Sequence, residues 1–67
     1  MEGPKFPHVR VQLSGRDGNA FTVLGTVMKA MRRAGVPPEE VLAFMTEATA
    51  GDYDHLLQTA MATVDIR

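Results

Sequence analysis

The densest group of ionisable side chains in this sequence is the run Asp52-Tyr53-Asp54-His55. Carboxylates beside an imidazole can transfer protons or hold a metal ion. The spacing favours a structural role, because Asp52 stands at the predicted start of a helix, where aspartate caps free backbone amides. A catalytic zinc site needs three protein ligands, and the second histidine, His8, is distant in sequence. We therefore predict no catalytic residue, metal site or cofactor, and treat partner contact as the functional alternative to capping.

A second candidate is a group of cations on the first predicted helix. Lys29, Arg32 and Arg33 follow helical spacing, so they are expected on one side, where Arg10 or Arg16 could join them to bind phosphates. Solvated surface cations explain the pattern equally well. No aromatic residue is interleaved for base stacking, and the helix lacks the asparagine and glutamine that read bases. Nucleic-acid contact is thus the less favoured alternative.

The loop at positions 14–19 contains two glycines just before a helix, which is the crude form of an anion site. It lacks the lysine of a phosphate loop and the three-glycine spacing of a dinucleotide turn, and Asp17 would repel a phosphate. A tight strand-to-helix turn is the simpler interpretation, with Arg16 as the residue most able to contact an anion.

Two strands are predicted, one at each end. Val9, Val11 and Leu13 alternate with polar residues, which is typical of a strand with one buried face. We expect structure to begin near His8, after a flexible lead at positions 1–7. The last strand is expected at positions 62–66, so that positions 8–67 form one domain.

Three helices are predicted between the strands. The first covers positions 20–34, with Asn19 as its cap, Gly35 as its stop and Gly25 permitting close approach of a neighbouring backbone. The second runs from the prolines at 37–38 to about position 50, and the third follows Asp52. The residues expected to face the core are Phe21, Leu24, Val27, Met28, Met31, Val41, Leu42, Met45, Ala48, Tyr53, Leu56, Leu57, Ala60 and Met61. Phe44 is expected on a flank, open to a partner.

Composition limits the class of protein. The chain has 67 residues, no cysteine and 45% apolar residues, so its own core is small and a homodimer would add buried surface. A net charge of −1 gives no global basic footprint. No apolar run suits a signal peptide or a membrane span, and we expect a cytoplasmic protein without a membrane partner. The predicted fold is an α+β mini-domain of order β-α-α-α-β, with helices on one face of a small sheet that a homodimer could extend.

Several stretches resemble a family of short uncharacterised proteins from bacteria and their phages. They include positions 17–21, 31–36 and 64–66, and the most specific is Gly51-Asp52-Tyr53-Asp54-His55-Leu56-Leu57. The resemblance implies a cytoplasmic, mobile-element setting and no known activity.

The sequence as a whole favours a small non-enzymatic interaction module, expected to be homodimeric. It would present a helical face or the corner at positions 51–55 to a protein partner. The candidate contacts are Asp52, Tyr53, Asp54, His55 and Phe44. The alternative is a nucleic-acid-associated regulator that uses Arg16, Lys29, Arg32 and Arg33. A hydrolase or metalloenzyme at positions 52–55 ranks third.

Overall fold

A computed structural model describes residues 3–13 and 19–66 of the chain. Within these residues the elements are β1 (Phe6–Val11), α1 (Ala20–Arg33), α2 (Pro38–Ala48), α3 (Tyr53–Thr63) and β2 (Val64–Ile66). The predicted α+β class and the β-α-α-α-β order are therefore confirmed. None of the described helices combines the length and apolar character that crossing a bilayer requires.

The first and last strands pair with each other in parallel within one chain. Phe6 is aligned with Val64 and Val11 with Ile66, with an irregularity in β1 between Phe6 and Arg10. β1 begins two residues before the predicted start at His8, and β2 begins two residues after the predicted position 62, because α3 continues to Thr63. Lys5 also holds the N-terminal end of the chain in place. Its backbone N–H donates to the carbonyl of Ala62 at 2.9 Å, and its Nζ lies 2.7 Å from Glu40 Oε1.

Helix α1 begins and ends at the predicted signals. The Asn19 side chain accepts the backbone N–H of Phe21 at 2.8 Å, which satisfies one free amide of the first turn. At the other end Gly35 has φ +86°, and the N–H of Val36 reaches back to the carbonyl of Met31 at 3.0 Å. Glycine enters this left-handed conformation without steric penalty, so Gly35 stops the helix as expected.

Helix α2 ends two residues earlier than expected, at Ala48 instead of about Ala50. The N–H of Ala50 bonds the carbonyl of Glu47, three residues back, at 3.1 Å. This shorter spacing tightens the last turn and terminates the regular helix. The chain then has only a short connection before Asp52 caps α3.

The core lies between the three helices and one face of the sheet. Val9 and Val11 are buried while His8 and Arg10 are exposed, so the helices cover one face of β1. Helix α1 contributes the largest share. The buried residues are Val9, Val11, Val23, Leu24, Val27, Met31, Val36, Val41, Phe44, Ala48, Leu56, Ala60 and Val64.

The predicted buried faces of the helices are partly wrong. Phe21, Leu42 and Met61 were expected in the core, yet they are 80%, 56% and 55% exposed. Tyr53 was expected there too and is 36% exposed. Phe44 was expected at an open flank, yet it is only 4% exposed. In α2 the buried positions Val41, Phe44 and Ala48 lie on a helix face rotated from the predicted one, because α1 and α3 both pack against this helix. Phe44 is therefore a core residue and does not present its side chain to a partner.

The expected role of Gly25 is also wrong. A Cβ built on this residue has nothing within 4 Å apart from its own helix and chain neighbours, so no backbone among the described residues approaches it closely. Gly25 is exposed on the surface of α1.

Candidate functional site

The corner between α2 and α3 brings together the ionisable residues that the sequence singles out. Asp52 adopts an extended backbone just before α3, and its Oδ1 accepts the backbone N–H of His55 at 2.9 Å. Its carbonyl accepts the N–H of Leu56 at 3.0 Å, which starts the helix. The prediction that Asp52 is a cap is confirmed.

The imidazole of His55 ties this cap to the end of the preceding helix. Its Nε2 lies 2.9 Å from the backbone carbonyl oxygen of Glu47 and 3.0 Å from Glu47 Oε2. Both oxygens are acceptors, so Nε2 carries the hydrogen that is shared between them. The Glu47 carbonyl already accepts the N–H of Ala50, so His55 adds a second partner to this oxygen at the end of α2.

Gly51 leaves the room that this arrangement needs. A Cβ at position 51 would lie 2.9 Å from both Cβ and Cγ of His55, closer than side chains pack. Gly51, Asp52 and His55 thus form one structural joint, which explains the most specific segment of the sequence. No group of three metal-ligating side chains comes together anywhere in residues 3–13 and 19–66.

The same corner borders an apolar hollow, which we call the α1–α3 hollow. Its volume is about 180 Å³. Leu24, Ala48 and Leu56, all buried, contribute to its lining, while Phe21 and Tyr53 lie exposed beside it. The lining comprises Ala20, Phe21, Leu24, Ala48, Thr49, Gly51, Asp52, Tyr53 and Leu56. An engineered apolar cavity of about 150 Å³ holds a benzene molecule, so this hollow is large enough for one aromatic ring.

Of the five predicted partner contacts, four lie at this corner. Asp52 and Tyr53 line the hollow, Asp54 is exposed in the first turn of α3, and His55 is engaged with Glu47. Phe44 is buried in the core. Phe21 was predicted to face the core, so its exposure beside the hollow was not foreseen from the helical spacing.

The predicted basic face of α1 is divided between two places. Lys29 and Arg33 line an open groove between α1 and β1, and Arg10 joins them from the strand. Arg32 instead lines a depression between α1 and α2, beside Met28 and Leu42. Arg16 lies outside the described residues. The structure therefore replaces the expected group of cations with Arg10, Lys29 and Arg33.

Comparison with models of protein families, with curated proteins and with solved structures gives no match for this chain. The fold and the surface define a small α+β domain with two separate features, an apolar hollow at the α2–α3 corner and a basic groove beside β1.

Proposed function

We propose that this chain is a small non-enzymatic protein-interaction module that forms a homodimer through Phe21 and the α1–α3 hollow. The observation that carries the proposal is the position of Phe21. Its ring is 80% exposed, beside a hollow whose lining includes buried apolar side chains. An exposed aromatic ring next to an apolar cavity is typical of an interaction surface.

Twofold symmetry makes this surface able to bind a copy of itself. In a symmetric dimer the same patch of both subunits meets, so the patch has to carry both a protruding group and a cavity. Phe21 supplies the protruding group, and the hollow between Leu24, Ala48 and Leu56 supplies the cavity. Each ring would enter the hollow of the other subunit.

The small size of the domain supports the same proposal. A chain of 67 residues buries a modest core and has no disulfide to restrict its unfolded state. Burial of one phenylalanine side chain contributes roughly 1.5–3 kcal/mol, and a symmetric dimer buries two of them. Dimerisation would therefore add stability that is significant for a domain of this size.

The polar groups at the corner support a non-enzymatic role. Asp52 is used as a helix cap and His55 bonds two oxygens of Glu47, so both side chains have structural partners. Acid-base catalysis needs groups that can reach a substrate and change protonation in step with it. The hollow beside them is predominantly apolar, which suits a ring better than a polar substrate.

The oligomeric state tests the proposal directly. We expect light scattering after gel filtration to give a dimer for the natural chain and a monomer for Phe21→Ser. The substitution removes two buried rings from each dimer and should weaken association by about a hundredfold or more. The melting temperature of the natural chain should also rise with protein concentration, since only the folded chain dimerises.

Leu42→Ser is the matched control, because Leu42 is another exposed apolar side chain and lies away from the hollow, between α1 and α2. This variant should remain a dimer. A natural chain that is monomeric up to high micromolar concentration, or a Leu42→Ser variant that dissociates as fully as Phe21→Ser, would refute the proposed interface.

A further inference from the structure

The basic groove lies along one edge of β1. Residues 8–12 all line it in succession, together with one stripe of α1. Side chains alternate between the two faces of a strand, and here Val9 and Val11 are buried while His8, Arg10 and Gln12 are exposed. Consecutive residues can share one groove only along the strand's edge. No residue of β2 lines the groove, so this edge is the one that faces away from the partner strand.

This edge of β1 has unused pairing capacity in the described part of the chain. The described sheet contains β1 and β2 alone. Apart from the ladder with β2, residues 8–12 form no backbone hydrogen bond with any other described residue. An open strand edge presents amides and carbonyls that can pair with an added strand.

The helix wall leaves space for such a strand and supplies charge. Thr26, Ala30 and Ala34 are small, while Lys29 and Arg33, one turn apart, carry the cations. The groove has a volume of about 520 Å³, in the range of sites that bind short ligands. The five residues 8–12 would span roughly 17 Å, so an added strand of five or six residues fits the length of the groove.

The charge of the groove selects the kind of strand. Arg10, Lys29 and Arg33 contribute to its lining together with His8, and no carboxylate of a described residue lines it. None of these three cations forms an ion pair with another described residue. Asp65 is aligned with Arg10 across the ladder, but it does not line the groove. The cations are concentrated here although the whole chain has a net charge of −1.

We propose that this groove binds an extended acidic segment of another protein, which adds to β1 as a third strand. Backbone hydrogen bonds to β1 would hold the segment, and its carboxylates would pair with Arg10, Lys29 and Arg33. This inference rests on the proposed function, since it names a partner class for an interaction module. It uses a different surface from the dimer interface, so the two can be tested separately.

A second copy of this chain fits the groove poorly. Pairing β1 with β1 of another copy would bring Arg10 and the neighbouring cations of both subunits together, and like charges across strands destabilise a sheet. Nucleic acid also matches less well, because phosphates make no use of an open strand edge, and His8 is the one aromatic ring among the described residues that line the groove.

Binding of a short labelled peptide tests the proposal. The probe is a capped hexapeptide of alternating glutamate and valine, titrated by fluorescence anisotropy with the full chain. Two altered probes accompany it: one with lysine in place of glutamate, and one with alternate backbone nitrogens methylated, which keeps the carboxylates but blocks strand pairing. We expect binding of the first probe only.

Arg33→Glu and Arg32→Glu form a matched pair of variants. They change the same charge at adjacent, exposed positions of α1, but only Arg33 lines the groove. Arg33→Glu should weaken peptide binding about tenfold or more, because it removes a charge-assisted contact and adds a repulsive one. Arg32→Glu should change binding by less than about twofold, and Arg33→Ala should give an intermediate loss. Circular dichroism of each variant confirms that it is folded.

Several results would overturn the proposal. Absence of binding to the glutamate probe, equal binding of the methylated probe, or equal losses for Arg32→Glu and Arg33→Glu would each exclude an acidic strand at this edge. Tighter binding of a single-stranded oligonucleotide, with the same loss in Arg33→Glu, would assign the groove to nucleic acid instead. Phe21→Ser should bind the peptide normally, so failure of the dimer interface and failure of the groove give different results.

Discussion

At the scale of single residues, His55 leaves no room for a side chain at position 51. Gly35 is the glycine with positive φ among the described residues, so Gly51 needs no left-handed backbone. The requirement for glycine at position 51 is purely one of space, because an added Cβ would approach His55 Cβ and Cγ to 2.9 Å. A side chain at position 51 would therefore push α3 away from the end of α2.

Gly51→Ala is expected to lower the free energy of unfolding by about 1–3 kcal/mol, the usual cost of overpacking. Urea denaturation of the variant and the natural chain measures this difference. Shortening the ring in a Gly51→Ala/His55→Ala double variant should not restore stability, since the His55 Cβ is itself one of the two closest atoms. Unchanged stability of Gly51→Ala would contradict the contact.

At the scale of elements, Gly25 provides the opposite case. It lies inside α1, is exposed, and would meet nothing within 4 Å if it carried a Cβ. Gly25→Ala should therefore raise the free energy of unfolding by roughly 0.5–1 kcal/mol, because alanine loses less backbone entropy in a helix. The same urea titration tests it, and Gly51→Ala is its counterpart with the opposite sign. A destabilised Gly25→Ala would indicate a neighbour that packs on this face of α1.

The start of α3 depends on the carboxylate of Asp52. Asp52→Ala removes the acceptor of the His55 N–H and should cost about 1 kcal/mol, whereas Asp52→Asn keeps an acceptor and should cost little. Thermal unfolding of both variants distinguishes the two. Asp54→Ala is the control, since Asp54 lies in the same first turn without being the cap. An equal loss for Asp52→Ala and Asp54→Ala would show that charge near the helix end matters more than capping.

The helix ends that carry a capping or stop residue were predictable from the sequence, while the buried faces of the helices were predictable only in part. Asn19, Gly35 and Asp52 act on backbone groups a few residues away, so their effect can be predicted from the neighbouring sequence. Which side of a helix is buried depends on where the other elements lie, and this placed Phe44 inside and Phe21 outside. The parallel direction of the strands and the separation of Arg32 from Lys29 and Arg33 likewise follow from three-dimensional packing.

The Gly51–His55 segment illustrates the same limit for the candidate site. Its residue types were correctly read as a cap, but the bond from His55 to Glu47 spans two helices and has no local signature. Similarly, the hollow is lined by residues from α1, α2 and α3, so no single stretch of sequence encodes it.

At the scale of the whole molecule, Met31 is a central residue of the core. It is completely buried, and the carbonyl of the same residue accepts the N–H of Val36 after the end of α1. Met31→Ala is expected to lower the free energy of unfolding by about 2–5 kcal/mol, since it leaves a cavity. Domains of this size have little stability to spare, so much of the variant should be unfolded at moderate temperature.

Met61→Ala is the matched control for this prediction, because Met61 is 55% exposed on α3. Its effect should stay within about 0.5 kcal/mol, as is usual for surface substitutions. Chemical denaturation of both methionine variants at one protein concentration makes the comparison. Similar losses for the two would show that the core is arranged differently.

The ladder between β1 and β2 joins positions more than fifty residues apart, such as Phe6 and Val64. Closing so long a loop is opposed by chain entropy, and the opposition is overcome only when the intervening helices have packed. Cleavage of the backbone between α2 and α3 would thus leave β1 on one fragment and β2 on the other. Neither fragment could form the sheet by itself. The native state would be recovered only when the two fragments associate, at a rate that depends on their concentration.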